Sequence, residues 1–314
     1  MRWYPTAAIP MLVFAAPAAH AQDPAALSVR LAAMTAVTGF ERPMADTLLT
    51  LLPGAVRDRA GSVVDVLGQG RGGLLVACPL DEVGYVVGGI RPDGWLTLRR
   101  VGSGVERGFD RWLQGERVTL WGRHGATPGV VAVRSVHLLR DRAQGEVPFT
   151  VDDALVDVGA RDPVDVRALG LEVLTPVARE KRPVRYGDGR LAAPWAGRRA
   201  ACAALVVAAR EARPTGRVVI AFVTEQQLGG RGLETVLHTL GTFDRTILVD
   251  GKSGPPGGLI ESADPGLSAR APGFGAVIRL ELPEKYAGTP VETVSLADVR
   301  ALVDRLAARI GGAE

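Results

Sequence analysis

Four short stretches hold the residues best placed to do chemistry. Asp81 and Glu82 follow the apolar run 73–80, and Glu225, Gln226 and Gln227 follow the apolar run 217–224. Asp250 lies at the end of the run 246–251, and Arg198 and Arg199 open an Ala-rich helix. Open α/β sheets bind ligands at the ends of their strands. Asp81, Glu82, Glu225 and Asp250 could there hold one hard cation through oxygen ligands, or supply the acid and base of a hydrolase. The plainer reading is that they are polar residues satisfied by nearby backbone. Other chemistries find less support. The chain has 4 histidines and 2 cysteines, so a His-rich or Cys-rich metal site would need nearly all of them. His124, His137 and His238 lie away from the acidic stretches and read as surface or packing residues. The Gly-x-Ser-x-Gly signal of many serine hydrolases does not occur. The Gly-rich stretches 68–73 and 250–254 match neither a Walker nor a dinucleotide pattern, and 68–73 reads as a hairpin between two strands.

The spacing of apolar residues predicts the elements that must carry these groups. Residues 24–37 and 42–52 read as helices, and 62–67 and 73–80 as strands. The second strand is almost wholly apolar, as expected for a strand covered on both faces. From 84 to 180 the texture changes to short alternating runs broken by Gly, Asp and Pro, which predicts a compact β-barrel. A short helix near 162–170 lies close to its end. The α/β texture then returns. A helix is predicted over 199–213, strands over 217–224, 246–251 and 275–282, and a shorter helix near 232–240. A last helix starts at Ser295, with Asp298 completing a capping box. The fold class is therefore α/β: a domain with a central mixed sheet flanked by helices (22–83 and 181–314), interrupted by an inserted β-barrel domain (84–180).

Composition bounds the partners. Of 314 residues, 47% are hydrophobic and 23% charged, an ordinary globular mixture. A net charge of +3 without basic runs, together with 5% aromatic residues, argues against nucleic acid as a partner. Residues 1–21 have the layout of a secretory signal peptide: Arg2, an apolar stretch, then Ala19-His20-Ala21 before Gln22. The expected location is periplasmic or extracellular, with no membrane segment after cleavage. Cys78 and Cys202 could pair in such a compartment. Because Cys78 ends a buried strand and Cys202 lies in an apolar helix, the sequence favours two separate buried thiols.

Seven segments in order (76–87, 116–133, 151–160, 194–205, 222–232, 247–251 and 285–306) resemble the glutamyl and deblocking aminopeptidases. These are dinuclear metallopeptidases, among them the tetrahedral aminopeptidases. The resemblance covers most of the chain after residue 21. It implies a zinc-peptidase-like α/β domain, an inserted barrel that mediates oligomerisation, and two divalent metals, zinc or cobalt.

The same alignment implies that the chemistry has been lost. Pro79 stands where the family has a ligand His, with the orienting Asp81 kept; Gly197 stands at the bridging Asp, followed by Arg198. Gln226 replaces the general base, Gln227 a ligand Glu, and Gly288 the last ligand His, while Asp250 is kept. Gln cannot accept a proton at neutral pH, and loss of general-base catalysis alone costs about 10²–10⁴ in rate. Between Asp250 and Gly288 the family's stretch is longer; here a Gly/Pro-rich connection and one strand are expected. The reading is an exported, inactive homologue with no cofactor, monomeric or homodimeric. It would bind peptide or an active paralogue, and an Arg–Asp ion pair would fill the old metal volume. The alternatives are a hydrolase rebuilt on Asp81, Glu82, Glu225 and Asp250, or an interaction module acting through the β domain.

Overall fold

The computed structural model describes residues 23–106, 108–133 and 149–312. The expected signal segment 1–21 and His137 lie outside them. The chain opens with helices α1 (Pro24–Ala32) and α2 (Arg42–Leu51), each with Pro in its first turn. Helix α1 ends before the predicted limit at 37. Residues 36–38 instead form a parallel bridge with Glu82, with Glu82 N–H donating to the Ala36 carbonyl at 2.8 Å and Thr38 N–H to the Glu82 carbonyl at 3.0 Å. The local helix signal gives way because those three residues are needed to hold the Glu82 backbone.

Strands β1 (Val56–Arg57), β2 (Val63–Leu67) and β3 (Leu74–Pro79) follow. The chain then leaves the main sheet to build a closed barrel. Its strands are β4 (Gly84–Ile90), β5 (Leu96–Val101), β6 (Arg117–Gly122), β7 (Gly125–Val131), β8 (Leu155–Asp157) and β9 (Pro176–Arg179). They close antiparallel in the order β4-β5-β8-β7-β6-β9. Helix α3 (Pro163–Ala168), capped by Asp162, lies between β8 and β9. Barrel closure leaves no open edge, and the interior is apolar, with Tyr85, Val87, Leu96, Leu98, Leu120 and Val177 among its buried residues.

The second half completes the main sheet. It comprises β10 (Val184–Tyr186), β11 (Arg190–Ala192), α4 (Ala196–Glu211), β12 (Val218–Val223), α5 (Arg231–Leu240) and β13 (Arg245–Ser253). Then come β14 (Ile260–Ala263), α6 (Pro265–Arg270), β15 (Ala276–Lys285), β16 (Thr293–Ser295) and α7 (Leu296–Gly311). The ten-stranded mixed sheet runs β1-β2-β12-β3-β13-β15-β16-β11-β10, with β14 beside β15. Its centre is parallel: β3 pairs with β12 on one side and β13 on the other, and β13 pairs with β15. The interval after Asp250 thus holds more structure than the connection and single strand expected, since β14 and α6 also form there.

Helix α4 is the spine of the domain. Every residue from Ala196 to Ala209 is buried, with α1 and α7 packed against it and the sheet beneath. Ala at half of these positions lets the helix approach its neighbours closely.

Two sequence expectations fail here. The 68–73 loop is not a hairpin, because β12 lies between the strands it joins: Val218 pairs with Leu67 on one side and Leu74 on the other. The inserted strand arrives from about 150 residues away, so local turn chemistry could not reveal it. Cys78 and Cys202 are not separate thiols. They form a disulfide, with Cα atoms 5.7 Å apart, that ties the end of β3 to α4. Burial and pairing are compatible once strand and helix are packed together. The bond closes a loop with a sequence separation of 124, for which loop-closure entropy gives about 5 kcal/mol as an upper figure. Urea unfolding of the intact protein with and without reductant should show a clearly lower midpoint when the bond is reduced.

Candidate functional site

The parallel strands β3, β12, β13 and β15 all end on one edge of the sheet, and the start of α4 sits over that edge. Chain direction alone therefore gathers Asp81 and Glu82 just after β3, Glu225 to Gln227 after β12, and Asp250 and Glu284 within the C-terminal halves of β13 and β15. Helix α4 brings an unusual start. Trp195 adopts a left-handed conformation (φ 62°), the first turn contains no acidic residue, and Arg198 and Arg199 lie in it. Cations there oppose the helix dipole, so both need acidic partners from outside the helix.

Arg198 finds them across the cleft. Its Nε and Nη2 donate to Asp250 Oδ1 and Oδ2 at 2.9 and 2.7 Å, a two-pronged pair. Its Nη1 donates to the Asp81 carbonyl at 2.6 Å and lies 3.6 Å from Asp81 Oδ1. The other Asp81 oxygen, Oδ2, accepts from the Gln227 backbone N–H at 2.7 Å. With its amide turned to satisfy both neighbours, Gln227 Oε1 accepts from Arg198 Nη1 at 3.1 Å, and its Nε2 donates to the Ser103 carbonyl of the barrel. Burial would depress the Arg198 guanidinium, but Asp250 and Asp81 outweigh it and hold the group above its ordinary range.

Arg199 serves a second carboxylate. Its Nη2 donates to Glu82 Oε2 at 2.7 Å, where Lys181 Nζ also donates at 2.7 Å. Its Nη1 donates to the Leu80 carbonyl. Burial pushes Glu82 up, but Lys181 and Arg199 prevail and keep its carboxyl below the ordinary range. Glu82 is thus committed to a buried ion triad and does not join Asp81 and Asp250 around Arg198.

Two further carboxylates, Glu284 and Glu292, were not among the expected site residues. Glu284 lies near the end of β15, wedged against the place where α4 meets β13. A Cβ at Gly197 would collide with Glu284 Oε2, and a Cβ at Gly251 would lie 2.6 Å from the same atom. A Cβ on either glycine would also lie within 3 Å of the other's Cα, so both are required by the close approach of α4 to β13 as well as by this carboxyl group. Glu292 Oε1 accepts from the Gly288 N–H at 2.9 Å. Burial, then the charge of Asp250, push Glu284 up to about 7 against the pull of Arg198 and the Gly197 N–H. Burial and Glu284 likewise raise Glu292. The legible signals were a carboxylate at the end of an apolar strand for Glu284 and the Thr-Pro-Val-Glu segment for Glu292. Lys181, one of only three lysines, offered no pattern.

The remaining expected residues are dispersed. Pro79 ends β3 and is buried. Glu225 has φ 52°; its N–H donates to Glu41 Oε1 at 2.9 Å, while its carboxylate lies 3.3 Å from Arg231. Gln226 starts a short 3₁₀ turn. Gly288 adopts φ 74° and brings only its backbone. A cation or acid–base site built on Asp81, Glu82, Glu225 and Asp250 is thus not assembled. The fold places Glu82 with Lys181 and Arg199, turns Glu225 toward Arg231, and puts a guanidinium between Asp81 and Asp250. His124 and His238 are exposed.

Comparison with known proteins places this arrangement. The M42 glutamyl aminopeptidase family matches residues 61–253. The chain belongs to that family of metalloaminopeptidases. It is 30% identical over 178 residues to SgcX of Escherichia coli, covering 54% of this chain and 46% of that protein. It is 26% identical over 176 residues to the lysyl aminopeptidase of Pyrococcus furiosus, covering 56% and 50%. The chain thus spans about half the length of the curated relatives it matches. Among solved structures, an aminopeptidase of Desulfurococcus kamchatkensis has a TM-score of 0.81 at 19% identity over 93% of this chain and 95% of the other. The TET1 peptidase of Pyrococcus horikoshii has a TM-score of 0.80 at 20% identity, covering 90% and 97%. These likenesses establish the fold: a mixed sheet with helices and an inserted six-stranded antiparallel barrel.

The residues of this cleft do not fit the family's metals. Among the described residues, no three His, Cys, Asp or Glu side chains converge in a way that could hold a metal ion. The Asp81–Asp250 gap is taken by the Arg198 side chain, and the space beside Gly197 by Glu284.

The upward shift of Glu284 gives a sign for pH dependence. Its folded-state pKa lies above the ordinary 4.5, so its contribution is fully present below 4.5 and is lost as pH rises through about 7. Denaturation midpoints measured across that window should fall with rising pH, and Glu284→Gln should flatten that part of the profile.

Proposed function

We propose that this protein is an inactive member of the M42 family that works by binding rather than hydrolysis. One observation carries the reading. Arg198 is buried and paired with both Asp81 and Asp250, and on this reading it fills the space the family's cations would take. Further support comes from side-chain chemistry. Pro79, Gly197 and Gly288 have no donor atoms to offer, and Gln226 and Gln227 carry amides in place of a base and a charged ligand. Three of the expected carboxylates are already committed to cations: Glu82 to Lys181 and Arg199, Glu225 to Arg231, and Asp250 to Arg198.

The leader-like residues 1–21 make export to the periplasm or medium part of this proposal. The disulfide fits an oxidising compartment. The proposed partner is a peptide or an active relative of the same fold, met by a monomer or homodimer.

Metal analysis and a panel of aminoacyl and peptide substrates test the reading together. The purified mature protein should carry less than stoichiometric zinc or cobalt and release no N-terminal residues, even with either metal added. Two tightly bound ions per chain with turnover would overturn it.

A further inference from the structure

We infer that the join between the barrel and the main domain holds a site for a monatomic anion, chloride, received by Arg179 and Lys181. The site lies outside the Arg198–Asp250 pair and does not depend on whether the chain hydrolyses peptides.

Where β9 leaves the barrel, its last residues face a small cavity. Glu82, Tyr85, Phe109, Arg179, Lys181 and Trp195 are among its lining residues, and it has room for one water-sized guest. Three parts of the fold meet there: the strand returning from the barrel, the passage from β3 into β4, and the entry to α4.

Arg179 is the unusual member of this lining. Only 6% of its surface is exposed. Its guanidinium lies 4.5 Å from the centre of the Phe109 ring, and its Nη2 donates to the Phe109 carbonyl at 3.0 Å. Its Nε is buried without a hydrogen-bond partner. Among the described residues no carboxylate forms an ion pair with it. Asp110, the residue after Phe109, is taken up by Arg100 at 2.9 Å and by the Tyr85 hydroxyl at 3.0 Å.

The local charges do not balance. Three buried cationic side chains, Arg179, Lys181 and Arg199, share one ionised carboxylate, Glu82, which accepts from Lys181 and Arg199 at 2.7 Å each. Burial and Glu284 push the more distant Glu292 toward its neutral form. A buried charge without a partner is costly. A guest that accepts from Arg179 Nε and from a spare Lys181 hydrogen, and that carries negative charge, answers both needs. Water meets only the first, and a carboxylate or phosphate group exceeds the space. Chloride is little larger than water and accepts from several donors at once. Glu82, on the same wall, weakens its hold, but that charge is already outnumbered by Lys181 and Arg199. Chloride there would tie β9 to the start of α4, so the seating of the barrel on the main domain should depend on halide.

The test uses the mature wild-type protein and Arg179→Met, melted at constant ionic strength as sodium chloride replaces sodium gluconate, whose anion is too bulky for the cavity. Wild-type Tm should rise by at least about 2 °C at saturating chloride, and Arg179→Met should show no such rise. If Arg179→Met does not fold, crystals of the wild type grown in bromide are read by anomalous scattering, which should place bromide within contact of Arg179 and Lys181. Equal wild-type Tm in chloride and gluconate, an equal rise in Arg179→Met, or a cavity without bromide overturns the inference.

Discussion

Two arginines stand at the buried start of the helix that forms the spine of this domain, and the cleft is arranged around neutralising them. The helix dipole disfavours cations there, and burial raises the cost of any charge left unpaired. Arg198 is answered by Asp250 and Asp81, and Arg199 by Glu82. Those three acids sit just beyond β3 and near the end of β13, so helix and sheet are joined by charge close to where parallel strands terminate. The disulfide joins the same two elements nearby, from Cys78 on β3 to Cys202 on α4. Packing, electrostatics and a covalent bond all fix one junction.

The barrel is tied to that junction as well. It leaves the sheet immediately after Asp81 and Glu82 and returns just before Lys181, which completes the triad around Glu82. Its Ser103 contacts Gln227, the neighbour of Arg198. The strand ends here sustain a network of internal ion pairs, most of whose members are buried. Such pairs add little stability over an apolar filling, but each is costly to break singly, which holds the arrangement in place.

Much of the fold was legible in the sequence because it follows from local periodicity. The apolar runs at 73–80 and 217–224 became central strands, and the alternating region became the barrel. The replacements read at 79, 197, 226, 227 and 288 rest on the sequence resemblance and belong to the proposed loss of activity. The Arg198–Asp250 pair was foreseeable, since opposite charges at neighbouring strand and helix ends attract. Glu284 was not, because its importance lies in the void beside Gly197 and Gly251, on two other elements. The 68–73 loop was misread for a similar reason: a strand distant in sequence divides the two that it joins.

The sequence by itself determined which side chains can donate, accept, carry charge or ligate, and which segments alternate as strand or helix. A proline side chain has no atom to ligate a metal, and a glutamine cannot act as a base at neutral pH, whatever surrounds them. Only the tertiary structure decided which charges meet. Glu82 and Asp81 are adjacent in the chain, yet one faces Lys181 and Arg199 and the other Arg198. Pairing energy depends on distance and on the exclusion of water, and both are properties of packed elements rather than of residue order. The same packing brought two cysteines with a sequence separation of 124 into bonding range.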